Sequence, residues 1–297
     1  MKNYCLFHGN CRDGLTAAWV AAKILPASPE NIFIPVNYGQ PPPPMPDAGN
    51  VLILDFSYSR QVMKEIAASC QCLVCLDHHR TAQKELDGLQ AELNQDRDRI
   101  HFDMEKSGAM LAWNYFHDSE ALPIVKYAQD WDLWQFKLPF SKALSAYSKT
   151  VPLQMEEWNR FALDMEDPAL LRSMALAGDA CLRLIDVQIQ SLLPYARMAR
   201  FIPSIPAWQW NGTDQSHYRD AVAAAVLPMP VGSLISDTGA ALLAKFPDVQ
   251  VGATYCDTPD GRLWSLRSRQ DYDCSVIAKA FGGGGHAQAC GFKEKVT

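Results

Sequence analysis

The chain has 297 residues, with 27 basic against 33 acidic side chains and a net charge of -6. Apolar residues make up 48% and charged residues 20%, an ordinary globular balance that excludes a disordered chain, and no apolar run is long enough to span a bilayer. At roughly 100–200 residues per domain, two domains are expected. The first residues, MKNYCLFHGN, lack the apolar h-region of a signal peptide, so a cytoplasmic location without a membrane partner is expected. The acidic balance opposes nonspecific coating of nucleic acid but leaves room for a small basic pocket.

In chain order, residues 3–7 form a short apolar run ending at His8, followed by a glycine-containing turn and an alanine-rich helical stretch from Leu15 to Leu25. Ile32 to Tyr38 reads as a second strand, and Pro41 to Pro44 as a rigid surface loop extended by Pro46. Val51 to Leu54 is an apolar run ending at Asp55, Val62 to Cys70 alternates at helical period, and Cys72 to Leu76 is a further apolar run ending at Asp77. Short continuous apolar runs separated by helices predict a parallel sheet covered on both faces. Residues 107–138 and 153–200 read as mostly helical, with Pro194 breaking or kinking the last helix. The segment Ile202 to Pro206 reads as a boundary, dividing the chain into 1–195 and 205–297. Beyond it the pattern predicts a strand (Ala221 to Val226), a helix (Ser233 to Phe246) and two strands (Val249 to Tyr255, Leu263 to Arg267) joined as a hairpin at Asp257 to Gly261. A short helix, Cys274 to Phe281, leads into Gly282 to Gly285 and His286. The fold class is therefore α/β: a parallel-sheet domain with helices on both faces, then a smaller mixed α/β domain.

Nine cysteines, at 5, 11, 70, 72, 75, 181, 256, 274 and 290, form no evident disulfide framework. Cys70, Cys72 and Cys75 have a zinc-cluster spacing, yet they lie along a strand pattern where small apolar side chains are the better reading.

Three predicted strands end in an acid or an imidazole, and open parallel sheets bind ligands at the carboxyl ends of their strands. This brings His8, Asp13, Asp55, Asp77, His78 and His79 toward one place. Imidazole and carboxylate donors suit manganese or magnesium, with zinc admitted. Asp55 is the natural bridge between two ions. Taken singly, an aspartate at a strand end is commonly a helix cap, and a histidine a satisfied core residue. Three loaded strand ends are harder to explain that way. In the second domain, four glycines let a ligand approach the backbone, and His286 with Arg267 and Arg269 can grip a phosphate. Trp131, Trp134, Trp208 and Trp210 are candidates for stacking on a base, with core packing at least as fitting for the first two; Tyr58 is undecided.

Asp77-His78-His79 in LDHHRTA, Asp55 in LDFSYS and the segment FGGGGHAQACGF together resemble the DHH phosphoesterase superfamily with its C-terminal DHH-associated domain. SGAMLAW at 107–113 and YAQDWDLW at 127–134 are similar to motifs of its oligoribonuclease and cyclic-nucleotide phosphodiesterase group. The resemblance covers nearly the whole chain. It implies metal ligands at His8, Asp13, Asp55, His78 and Asp130, with Asp132 as the second choice to Asp130. It implies catalytic roles for Asp77, His79 and His286, and substrate binding by Arg267, Gly283, Gly284 and His286. Two divalent ions are implied, manganese first, with zinc, iron or magnesium admitted.

The sequence departs from this pattern in His8-Gly-Asn-Cys11-Arg-Asp13-Gly14, where Cys11 stands at the usual first aspartate. Cys11 is then a thiolate ligand favouring a softer ion, or a non-ligand, or the mark of a protein that binds without turnover. The leading expectation is a metal-dependent phosphoesterase acting on a short oligoribonucleotide, a linear or cyclic dinucleotide, or a nucleoside phosphate. The alternatives are a nucleotide-binding sensor on the same fold and an inorganic pyrophosphatase. The expected partner is a small nucleotide or short oligonucleotide rather than long nucleic acid, and a homodimer is admitted.

Overall fold

In the computed structural model, which describes residues 1–201, 222–229 and 234–294, the chain divides into two units, Met1–Leu182 and Arg183–Thr297. The first unit runs β1 (Lys2–His8), α1 (Arg12–Ala22), β2 (Asn31–Val36), β3 (Ala48–Leu54), α2 (Arg60–Ser69), β4 (Cys72–Asp77), α3 (Arg80–Glu85), α4 (Leu89–Glu92) and β5 (Arg99–Phe102). A helical layer follows: α5 (Gly108–Phe116), α6 (Pro123–Asp132), α7 (Ser141–Ser148), α8 (Met155–Asp164) and α9 (Pro168–Leu192), whose last residues belong to the second unit.

The five strands form one sheet in the order β2-β1-β3-β4-β5, and every pairing is parallel. Successive side chains of a strand point to opposite faces. Val51 and Ile53 of β3 therefore join Met63, Ile66 and Ala67 of α2 on one face. Leu52 and Leu54 join Ala17 and Val20 of α1, Ala112 of α5 and Ile124 of α6 on the other. Both faces need apolar residues, which is why the runs are continuous. The three closely spaced cysteines follow the same rule: Cys70 and Cys75 pack in one core and Cys72 against the other.

The second unit contains a 3-10 turn at Leu193–Tyr195, then β6 (Arg197–Phe201), β7 (Val222–Pro228), α10 (Ile235–Lys245), β8 (Val251–Thr258), β9 (Gly261–Ser268), α11 (Ser275–Ala280), β10 (Gly284–Gly285) and β11 (Ala289–Glu294). Its six-stranded sheet has the order β10-β11-β9-β8-β7-β6. All its pairs are antiparallel except β7–β8. The expected hairpin is β8–β9, closed at Thr258 and Gly261.

Two differences from the sequence pattern have simple causes. The helical reading of 153–200 ends at Leu192, because Pro194 cannot continue the ladder, and Arg197–Phe201 pairs with β7 as a strand. Arg99–Phe102 escapes prediction because it is a four-residue edge strand of alternating exposure, without a continuous apolar run. Trp208, Trp210, the segment Ile202 to Pro206 and the start of the predicted helix at Ser233 lie outside the described residues. No helix among the described residues is long and apolar enough to cross a membrane.

Candidate metal centre

β1, β3 and β4 are neighbours in the sheet, so their carboxyl ends set His8, Asp55 and Asp77 side by side. Asp55 is the first residue past β3 and adopts a left-handed backbone, φ 63°. Its amide donates to Leu76 O at 2.9 Å, which holds this sparsely populated conformation in place. The side chain is 1% exposed. One of its oxygens, Oδ1, lies 3.0 Å from His78 Nε2, and the other, Oδ2, 3.3 Å from His8 Nδ1. The carboxylate therefore reaches two different neighbourhoods, one through each oxygen.

Asp13, in the first turn of α1, caps another helix. Its Oδ2 accepts from Gly108 N at 2.5 Å and its Oδ1 from Ala109 N at 3.1 Å, while Ser107 Oγ accepts from Met110 N at 3.3 Å. The amides at the start of α5 thus hold Asp13 in the positive end of the helix dipole. This explains the Ser-Gly-Ala start of SGAMLAW. Serine caps the helix, and glycine is required because a Cβ at 108 would come within 2.5 Å of Asp55 Cβ. A Cβ at Gly14 would likewise overlap the His8 carbonyl.

His78 Nε2 sits at the centre, 3.0 Å from Asp55, 3.5 Å from Asp132 Oδ2 and 3.7 Å from Asp13 Oδ2. The acid that α6 brings beside His78 is Asp132, the second choice of the sequence, and not Asp130. Asp130 points away: its oxygens accept from Lys137 N at 2.9 Å, Leu138 N at 3.3 Å and the Ser141 hydroxyl, fixing the loop after α6. Two residues apart on a helix, the pair cannot face the same way.

Asp77 is fully buried. Its Oδ1 accepts from His78 N at 2.7 Å and His79 N at 3.1 Å, and lies 2.7 Å from His79 Nδ1. It orients both histidines instead of joining the cluster at His78 Nε2. The His79 ring lies 4.9 Å from that of His78 and 5.8 Å from that of His8. Tyr38, which the sequence does not single out, follows β2 at the same edge. It is 53% exposed, with its ring 5.2 Å from His8 and 5.5 Å from His79. Trp131 is core, its Nε1 donating to Ser141 O at 3.0 Å.

The electrostatics describe a place prepared for cations. Burial raises the Asp13 carboxyl well above its ordinary value, helped by the charges of Asp55 and Asp132. Asp132 is raised by burial and by Asp55, against the pull of His78. Burial would also raise Asp55, but the hydrogen bond from His78 and the charges of His78 and His8 hold it well below the carboxylate range. For His78, burial lowers the imidazole, yet Asp132, Asp55 and Asp13 outweigh this and push it up to about 10. Crowded acids share protons or charges in this way when no other cation is at hand. His8 Nδ1, Asp55 Oδ2, Asp77 Oδ2 and Asp132 Oδ2 are among the buried polar atoms that make no hydrogen bond to a described residue. Two donor triads share Asp55: His8, Cys11 and Asp55, and Asp13, Asp55 and His78, each with ligand atoms within 4.8 Å of one another. A donor set of this kind fits divalent ions.

The remaining predicted residues lie in the second unit and have other partners. Arg269, read as half of a phosphate clamp, donates to Val249 O at 2.8 Å, Leu243 O at 2.7 Å and Phe246 O at 3.1 Å, closing the end of α10. Arg267 donates to Ser236 Oγ at 2.6 Å and Leu266 O at 2.8 Å. Gly282 N and Gly283 N, expected to face an anion, donate to Lys279 O at 3.0 Å and Ala278 O at 2.7 Å. Gly284 pairs with Gly291 in the β10–β11 ladder. A Cβ at Gly283 would overlap Gly291 O, and one at Gly285 would lie 2.6 Å from Ala289 O. Gly283 and Gly285 are thus required by close packing. His286 N donates to Ala289 O at 2.8 Å in the turn between β10 and β11. Cys274 and Cys290, which the sequence offers only as packing residues, bring their sulfurs to 3.0 Å.

No family model matches the chain. The uncharacterized protein R106 of Acanthamoeba polyphaga mimivirus is 28% identical over 303 residues, covering 96% of this chain. The chain spans 66% of that relative's length. Among solved structures, the pGpG-specific phosphodiesterase PggH from Vibrio cholerae aligns with a TM-score of 0.43 and 12% identity, over 100% of this chain and 94% of that one. RecJ from Thermus thermophilus, solved in complex with Mn2+, aligns with a TM-score of 0.44 and 14% identity, over 99% of this chain and 50% of that one. At such values neither fixes the chemistry, which rests on the side chains described above.

Proposed function

We propose that this chain is a metal-dependent phosphoesterase of the DHH type acting on a short nucleotide. The observation that carries the reading is Asp55, a buried carboxylate at a strand end, with one oxygen toward His78 and the other toward His8. His8, Asp55, Asp13, His78 and Asp132 would hold two divalent ions, manganese being a natural first choice for such donors. When bound, such ions supply a hydroxide at neutral pH and neutralise phosphate oxygens.

The chain's own residues have separable tasks in this reading. The amides of Gly108 and Ala109 hold Asp13 in place. Asp77 holds the His79 ring by its Nδ1, and in this reading the ring acts on a phosphate oxygen or leaving group through Nε2. Tyr38 offers an exposed ring beside both histidines, suited to contact a sugar or base edge. Arg267 and His286, with Gly283 and Gly284, remain the candidates for a phosphate grip in the second unit. The net charge of -6 favours a short substrate, since a long polyanion needs a broad basic surface.

The test is hydrolysis of bis-p-nitrophenyl phosphate with added manganese, followed by product analysis on dinucleotides, cyclic dinucleotides and nucleoside phosphates. Turnover that falls to background in Asp55→Asn supports the reading. Absence of turnover with every divalent ion, alongside measurable nucleotide binding, transfers the chain to the sensor class. Turnover retained in Asp55→Asn removes the two-ion arrangement.

A further inference from the structure

The two triads that share Asp55 differ in chemistry. Asp13, Asp55 and His78 offer only oxygen and nitrogen; His8, Cys11 and Asp55 add sulfur. Cys11 occupies the position before α1, in an extended conformation (φ -120°, ψ 135°), and makes no side-chain cap bond. Serine, threonine, asparagine and aspartate are the usual residues there, and a thiol, though within reach of the Gly14 amide, is a weaker acceptor than any of them. What it shares with its neighbours is a direction. Its sulfur lies within 4.8 Å of ligand atoms of His8 and Asp55. Independently, Asp55 Oδ2, on a side chain 1% exposed, is a buried acceptor without a hydrogen-bond partner and faces His8.

We propose that the two ion positions are chemically unlike: the His8–Cys11–Asp55 corner takes a thiophilic ion of the zinc, iron(II) or cobalt(II) class, and the Asp13–Asp55–His78 corner takes a harder ion of the manganese or magnesium class. The inference rests on the metal-dependent reading above for its purpose, though not for its test. Binding at the first corner replaces the Cys11 S–H bond by a sulfur–metal bond and releases the proton to solvent. Softness, not raw affinity, separates the two positions, because thiolates select soft ions and carboxylates accept hard ones.

The test uses the full-length protein, stripped with a chelator and titrated with cobalt(II). Thiolate-to-cobalt charge-transfer absorption in the near ultraviolet is expected, saturating at one equivalent. It should vanish in Cys11→Ser and in Cys11→Asp, while the visible ligand-field absorption of bound cobalt persists in Cys11→Asp. A measurement on the unaltered chain guards against misfolded variants: bound cobalt should slow alkylation of Cys11 severalfold, as mapped by peptide mass. Elemental analysis after reconstitution with one equivalent of zinc and excess manganese should give one of each, with less zinc retained in Cys11→Asp. Two bound cobalt ions without a charge-transfer band, a band that survives in Cys11→Ser, or unprotected Cys11 overturns the inference. A band without phosphoester hydrolysis leaves the unlike pair standing and removes the phosphoesterase reading; hydrolysis without a band does the reverse.

Discussion

The strand ends of the first unit and the glycine turn of the second both look, in sequence, like places that receive a ligand. They differ in what happens to their hydrogen-bonding capacity. In the glycine turn, Gly282 N, Gly283 N and His286 N donate to the chain's own carbonyls, and Arg269 closes a helix end. At the strand ends, His8 Nδ1, Asp55 Oδ2 and Asp77 Oδ2, with Asp132 Oδ2 of α6 near His78, are buried without such partners. Unsatisfied buried polar atoms cost about 1–3 kcal/mol each, so a fold retains them where something else will satisfy them. Polar residues at a motif mark a site less reliably than polar atoms left unused inside it.

The sharpest way to break this contrast is to neutralise the two acids of α6 in turn. Asp132→Asn is expected to weaken manganese binding by about 10–100-fold with little change in melting temperature. Asp130→Asn should instead lower stability by about 1–3 kcal/mol, through its bonds to Lys137, Leu138 and Ser141, and leave manganese affinity near that of the parent. Calorimetric titration and thermal unfolding of both variants decide it, and the reverse pattern would restore Asp130 as the ligand. Next in size is Gly283→Ala, whose new Cβ meets Gly291 O and Phe292. We expect a loss of about 1–3 kcal/mol of stability with manganese affinity unchanged; a variant of parental stability would mean the turn is looser than its packing implies. The smallest effect concerns pH. His78 is raised to about 10 from 6.5, so near neutrality it holds a proton that an ion must displace. Affinity for manganese should therefore rise steadily between about pH 6 and 8, and a flat profile would show that His78 is not a ligand.

The N-terminal architecture is legible because a parallel sheet buried on both faces demands continuous apolar runs, and the residue after each run is then placed by the sheet itself. His8, Asp55 and Asp77 are found in this way. Asp132 ranks below Asp130 in the sequence because the helix positions both acids near one end, and only the packing of α6 decides which one faces the cluster. The apolar pattern carries Tyr38 into a strand, whereas it lies in the loop just past it, at the very edge where ligands gather. The glycine run is ambiguous for a different cause. Permissive backbone serves close packing and ligand approach equally well, and sequence carries no sign of which carbonyls sit opposite.

Asp55 also bears on how this protein responds to selection. Its φ of 63° is a conformation that glycine enters freely and other residues adopt at about 1–2 kcal/mol. Glycine at this position would relieve that strain but take from the buried His78 imidazole the carboxylate 3.0 Å from its Nε2, and losing one partner of a buried pair costs about 3–5 kcal/mol. The backbone strain at position 55 is thus held by the pairing of its own side chain, and thermal robustness and chemistry there depend on the same carboxylate.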